Sequence, residues 1–363
     1  MQSTANRAFL PSLTGLRGAA ALWVVAYHVS SILGFYTLPA LHFGYVGVDV
    51  FFVLSGFILG HVHLDDFVSK PFAASGRFLA LRLSRIYPVH FVTLMVSPIL
   101  AGILYALNVP FLPRFDPALL GPNLLLIQAW GWLDHSSFNS VSWSISGEWL
   151  AYLAFPTMAF IANRLSAKIA LLTGFLVLAG EVVAFRALGR TDIGDVTTLV
   201  PLRMGGEFIC GLCIYVVYRR GIPIRLPWGV ISDLALLGFA IAIAQSASFA
   251  AVVVIPAGIL GLAHGRGMGA RFLADRRMVF IGEVSYSLYM VHLLVLECIF
   301  APVHYTRLDA LGLPLKAIVI VPALGLVAAA TLLMHRRVEV PARQWIRRRL
   351  DAVSNRRVTQ LIP

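Results

Sequence analysis

Three side chains are notable for where they occur. Arg17 and His28 lie in LTGLRGAAALWVVAYHVS, and Asp49 lies in GYVGVDVFFVLSGF. Both stretches are apolar enough to enter a bilayer. An ionisable group inside a membrane span costs several kcal/mol unless it is paired or faces a cavity, so each is a functional candidate by default. An imidazole suits general-base work, because its ordinary pKa of about 6.5 lies near neutral pH. A neighbouring carboxylate can orient it, as in a triad without serine. A guanidinium offers a fork of donors that matches phosphate. The rest of the chain must position these groups around one reaction centre.

Composition says what kind of chain can do so. The 363 residues are 59% hydrophobic and 13% charged, with a mean hydropathy of +0.82. Soluble domains carry about 25% charged residues, so a soluble fold is excluded. The apolar runs are rich in Leu, Ala, Val and Ile and lack the alternation of a barrel strand. The expected fold is all-α, a polytopic membrane helix bundle. Ten transmembrane spans are expected, at 19–34, 44–64, 86–107, 142–162, 168–185, 198–218, 227–245, 248–264, 279–301 and 314–334. The stretch PNLLLIQAW at 122–130 is too short to cross and is expected to be re-entrant or interfacial. No cleavable signal peptide is expected at the N-terminus.

The net charge of +12 does not imply nucleic acid, because the positive-inside rule accounts for it. With the N-terminus inside, 23 of the 29 basic residues fall on the cytoplasmic side. Only 4 (Arg114, Arg186, Arg190 and Arg307) fall outside, and Arg203 and Lys316 lie in or at the edge of spans. Both termini are therefore expected to be cytoplasmic. The run RRVEVPARQWIRRRL reads as a basic amphipathic helix on the inner leaflet. The expected division is a membrane domain over 1–345 and a basic cytoplasmic tail over 346–363. Cys210 and Cys213 form a lone C-x-x-C in an apolar helix and read as small packing residues. His61 and His63 have no third ligand, so no metal is expected.

At about 1.5 Å of rise per residue, His28, Asp49, Glu148 and Arg203 fall roughly 8–9 Å below the outer edge, and His292 roughly 13 Å. A shared polar cavity would make each tolerable. Asp49 is expected to orient His28. Arg203 is expected to pair with Glu148 or to stabilise an oxyanion. Trp143, Ser144 and Glu148 open the fourth span, where sugar stacking competes with plain interfacial anchoring. Tyr286, Tyr289 and His292 share a face and either line an acceptor route or pack in the core. Ser55 in LSGF reads as a packing residue with Gly56, not as a nucleophile.

The inner side has its own cluster. Arg82 and Arg85 in RLSRIYP share a helix face, and with Arg17 they could hold phosphate. Arg77 reads as topology and snorkelling. Arg17 and His28 are separated by about 16 Å of helix, close to the reach of the pantetheine arm of coenzyme A. This geometry suggests acyl transfer across the bilayer from cytoplasmic acyl-CoA. Depth alone fits a proton-coupled transporter or flippase equally well, and a non-catalytic subunit of a polysaccharide export system is a third reading.

These motifs resemble those of the acyltransferase-3 family of integral membrane acyltransferases. The R-x10-H opening, GYVGVDVFFVLSGF, RLSRIYP, SVSWSISGEWLAY, RMGGEFICG, IGEVSYSLYMVH and VEVPAR occur in family order over about residues 10–345. The resemblance implies a ten-helix bundle that moves acyl groups, often acetyl, from cytoplasmic acyl-CoA (acetyl-CoA above all). The acceptors it implies are hydroxyls of extracytoplasmic glycans or glycolipids, such as O-antigen, exopolysaccharide, peptidoglycan or nodulation factor; some relatives modify macrolides or lipids. It implies a multi-pass protein of the bacterial inner membrane, in contact with membrane lipids and not with nucleic acid. Some members carry an appended periplasmic esterase-like domain, and this chain is expected to resemble the stand-alone members. Catalysis is expected from His28 and Asp49, donor binding from Arg17, Arg82 and Arg85, and acceptor binding from Trp143, Ser144, Glu148, Arg203, Tyr286 and His292. A transient acyl-histidine competes with the general-base mechanism.

Overall fold

The computed structural model describes residues 9–34, 38–68, 74–106, 115–222, 225–300 and 312–359. Arg7, Arg114 and Arg307 of the expected charge bias, and the ends of the expected spans at 107 and 301, lie outside them. The described residues contain no strand. The long helices are α1 (Pro11–Leu33), α2 (Gly47–His63), α3 (Ser75–Ala106), α4 (Trp143–Ala162), α5 (Ala167–Ala187), α6 (Val200–Arg220), α7 (Trp228–Ala244), α8 (Ser248–Ala263), α9 (Arg276–Phe300), α10 (Leu313–Met334) and the basic α11 (Val340–Thr359).

Each expected span coincides with one of α1 to α10. Eight helical stretches among the described residues are long and apolar enough to cross a bilayer. The remaining two, α7 and α8, have 17 and 16 residues and pack against each other. By length they fall short of the roughly 20 residues of a full span. The chain is a multi-pass membrane protein.

Two helices begin well before the expected spans. α1 starts at Pro11 instead of 19, and α3 at Ser75 instead of 86. Hydropathy discounts Ser12, Thr14 and the arginines, but nothing bars them from a helix. Pro11 suits the first turn, where its missing N–H costs nothing. The consequence matters for the site. Arg17 lies almost two turns inside α1, and Arg82 and Arg85 lie two to three turns inside α3.

Small residues set how closely the helices cross, as expected where packing and not water drives association. α2 lies on α6 and α1 lies on α9. A Cβ on Gly56 would fall 2.0 Å from the Phe208 carbonyl oxygen, and one on Gly211 would fall 2.0 Å from that of Val53. Across the α1–α9 contact, a Cβ on Gly282 would fall 1.9 Å from the Thr14 carbonyl oxygen. Cys210 and Cys213 are buried against Gly174 of α5, in the packing role expected of them.

The stretch at 122–130 folds back on the first turns of α4. Ser146 Oγ donates to the Leu126 carbonyl at 2.9 Å, and the Ala129 N–H donates to Ser146 Oγ at 3.1 Å. The Trp130 indole donates to the Ser146 carbonyl at 3.1 Å. Irregular backbone survives at membrane depth only when protein satisfies it in this way. At the other end, a π-helical segment over His335–Glu339 joins α10 to α11, and α11 packs along α3. The expected boundary between 345 and 346 falls inside α11.

Candidate active site

A cavity of about 90 Å³ opens among α1, α2, α3, α4 and α9. Arg17 reaches it from α1, Arg82 and Arg85 from α3, Glu148 from α4, and Tyr286 and Tyr289 from α9. The arginines expected on the inner side and Glu148, expected in the outer layer, thus line one cavity. Arg17, Arg82 and Arg85 project from within α1 and α3 and line the same space as Glu148.

The charges in this cavity do not balance. Among the described residues, none of the three guanidinium groups has a carboxylate within ion-pair distance. Arg82 Nε is buried with no hydrogen-bond partner. The single carboxylate, Glu148, takes its hydrogen bonds from neutral donors: Ser55 Oγ at 3.1 Å and the Tyr152 hydroxyl. Three cations against one anion, with donors left over, are an arrangement whose charge suits an anionic group. Guanidinium forks match phosphate oxygens best.

The remaining polar walls are held in place. Ser144 Oγ donates to the Tyr289 hydroxyl at 2.9 Å, and that hydroxyl donates to the Val141 carbonyl at 3.0 Å. The Tyr286 hydroxyl donates to the Ile86 carbonyl. Tyr286 and Tyr289 thus share the cavity face, as their spacing suggested.

His28 does not line this cavity. It meets His292 of α9, with His292 Nε2 3.1 Å from His28 Nδ1 and the ring centroids 4.9 Å apart. Tyr289 connects the two centres: it lines the cavity, and its ring lies 5.9 Å from that of His292. Phe51, also on the cavity wall, packs edge-on to Tyr289.

Asp49 is not joined to His28 as expected. It accepts from Arg203 Nε at 2.7 Å and from Arg203 Nη2 at 2.8 Å, and both side chains are fully buried. Arg203 Nη1 donates to the Asp195 carbonyl at 3.1 Å. The glycine-mediated contact of α2 with α6 brings this pair together. Matching depth was the correct signal, but it fits any two groups at one level and did not identify the partner. Nor does Arg203 meet Glu148. Trp143 is buried with Arg203 5.1 Å from its ring and Phe52 edge-on, an arrangement unlike an open sugar platform.

Sequence reasoning missed Tyr152 and undervalued Ser55. Tyr152 stands four residues after Glu148, so helical spacing could have found it. Ser55 reaches Glu148 from 93 residues away in the chain, and no local signal reveals that. Gly56 beside it does pack as expected. Among the described residues, no group of three or more His, Cys, Asp or Glu is placed to hold a metal ion.

The fold and cavity define a membrane-embedded helix bundle with an arginine-lined cavity. The acyltransferase-3 family model, described as an acyltransferase domain, matches residues 10–334, and the chain belongs to that family. It is 33% identical to acyltransferase MdmB of Streptomyces mycarofaciens over 79% of each chain. It is 23% identical to a Staphylococcus aureus protein that carries the name O-acetyltransferase SACOL0978, over 80% of this chain and 51% of that one. Peptidoglycan O-acetyltransferase OatA of Listeria monocytogenes is 27% identical over 43% of this chain and 25% of its own length. The chain thus spans about half or less of the last two. No solved structure matches it. The protein is a membrane acyltransferase.

Proposed function

We propose that this enzyme transfers an acyl group, acetyl in the first instance, from cytoplasmic acyl-CoA to a hydroxyl of an extracytoplasmic carbohydrate. The observation that carries the reading is the cavity with three arginines that, among the described residues, have no carboxylate within ion-pair distance, and one buried guanidinium nitrogen that has no hydrogen-bond partner among them. Arg17, Arg82 and Arg85 bind the donor's phosphates. The thioester arm runs past Phe51 and Tyr289 towards His28. Glu148, held by Ser55 and Tyr152, accepts a hydrogen bond from the acceptor.

His28 is the general base. The acceptor oxygen bonds to the thioester carbonyl carbon while its proton passes to the imidazole. The C–S bond then breaks, and the sulfur leaves with the electron pair and takes that proton. Asp49 and Arg203 hold α2 against α6 and serve the site through its architecture. The charge bias supports cytoplasmic termini, and a cytoplasmic acyl-CoA donor fits an enzyme of the bacterial inner membrane.

The test is mass analysis of surface glycans from cells with and without the protein, paired with release of free thiol from acetyl-CoA by their membranes. Acyl groups should appear on the glycan only with the protein. His28→Ala should abolish them while the protein remains in the membrane. Unmodified glycans, or normal acylation by His28→Ala, would overturn the reading. A transporter would move solute without consuming acetyl-CoA.

A further inference from the structure

His292 was expected to contact the acceptor. Its surroundings point elsewhere. It is fully buried on α9, and its Nδ1 faces the Leu288 carbonyl at 3.1 Å. On α1, His28 Nδ1 faces the Val24 carbonyl at 3.0 Å. A carbonyl oxygen can only accept, so each Nδ1 must carry a hydrogen. In the neutral ring the other nitrogen then holds the lone pair. His292 Nε2, 3.1 Å from His28 Nδ1, is therefore an acceptor for the His28 Nδ1–H, which it shares with Val24.

We propose that His292 is a positioning residue, which together with the Val24 carbonyl holds His28 in the tautomer whose Nε2 takes the proton of the acceptor hydroxyl. This rests on the reading of His28 as the base. The step balances without another reactant. The hydroxyl oxygen bonds to the thioester carbon as its proton moves to His28 Nε2, and the same proton leaves with the sulfur. While His28 is an imidazolium, its Nδ1–H still points at the His292 lone pair, and a charge-assisted bond is about twice as strong as a neutral one. His292 has no second proton to offer, because Leu288 already holds its Nδ1–H. The pair does the work that Asp49 was expected to do. It reaches His28 from α9, the helix that the Gly282 contact brings against α1.

The experiment uses the full-length protein in nanodiscs with 15N-labelled histidine, His28→Asn serving to assign the His28 signals. The expected spectrum has a protonated Nδ1 and an unprotonated Nε2 at His28. In His292→Ala, where the Val24 carbonyl still accepts from Nδ1, the share of the Nε2-protonated tautomer should rise, and in His292→Gln, whose side-chain oxygen can replace the acceptor, the original pattern should persist. Turnover is followed as thiol release from acetyl-CoA by membranes that contain the native acceptors. His292→Ala should lower kcat about 10²-fold or more, within the range of a misplaced general base, with KM for acetyl-CoA unchanged within about twofold. His292→Gln should recover most of the loss.

An unchanged His28 tautomer in His292→Ala would overturn the proposal. So would a variant that raises KM and spares kcat, which would mark His292 as a substrate contact. If His292→Ala does not reach the membrane, His292→Gln decides: a protonated Nε2 at His28 in that variant would overturn the proposal. Normal turnover by His28→Ala would instead remove the base itself, while the tautomer measurement would still report on the pairing.

Discussion

At the scale of single residues, two groups of arginines behave in opposite ways. Arg203 is saturated, with Asp49 on two nitrogens and a backbone carbonyl on the third. Removing Asp49 breaks two charge-assisted hydrogen bonds to Arg203, while the buried Glu181 and Glu207 stay near it; hydrogen bonds to charged groups contribute about 1.5–3 kcal/mol each. Asp49→Asn should therefore lower the thermal unfolding midpoint in detergent sharply, whereas Asp49→Leu combined with Arg203→Met should recover much of it. Full stability in Asp49→Asn would show that the pair is not structural. Arg82 is the reverse case, a buried guanidinium whose Nε has no partner. Its hydrogen bonds to a bound phosphate should each contribute about 1.5–3 kcal/mol. Arg82→Ala should raise KM for acetyl-CoA by about 10- to 100-fold and leave folding unchanged. Arg82→Lys, which keeps the charge and loses the fork, should recover only part. An unchanged KM would remove Arg82 from the donor site.

At the scale of elements, the site depends on two close crossings. Gly56 and Gly211 let α2 and α6 approach, which brings Asp49 to Arg203 and turns Ser55 towards Glu148. Gly56→Leu would drive a side chain into the Phe208 carbonyl, and overpacking costs about 1–3 kcal/mol or more. Gly180 in α5 is the control, since a Cβ there meets nothing within 4 Å. Gly180→Ala should be neutral or stabilising by roughly 0.4–1 kcal/mol. Thermal unfolding of the two variants checks the contrast, and equal effects would mean that the crossing is not tight.

At the scale of the whole molecule, the basic C-terminal helix is docked and not merely adsorbed. Buried Glu339 accepts from Ser287 of α9 at 2.7 Å and pairs with His335 at 2.9 Å. Further along, Arg77 of α3 pairs with Asp351 at 2.6 Å, but both side chains are 47% exposed. A buried group deprived of its partner costs about 1–3 kcal/mol, whereas an exposed ion pair contributes under about 1 kcal/mol. Glu339→Ala should loosen α11 and speed its proteolysis, while Asp351→Ala should leave the cleavage rate nearly unchanged. If both variants are cleaved alike, Glu339 is not the anchor.

The amino-acid order alone determined the class of this protein. Long apolar runs must become helices in lipid, where every backbone group needs an internal partner, and the seven motifs in order determined the family. It also singled out the ionisable residues, because their cost in a bilayer makes them conspicuous. Only the tertiary structure decided their partners. Asp49 with Arg203, His28 with His292, and Glu148 with Ser55 each join helices far apart in the chain. Periodicity reports which face of a helix a residue occupies, and hydropathy its depth, but neither reports which other helix lies opposite. That was decided by where the glycines let backbones meet.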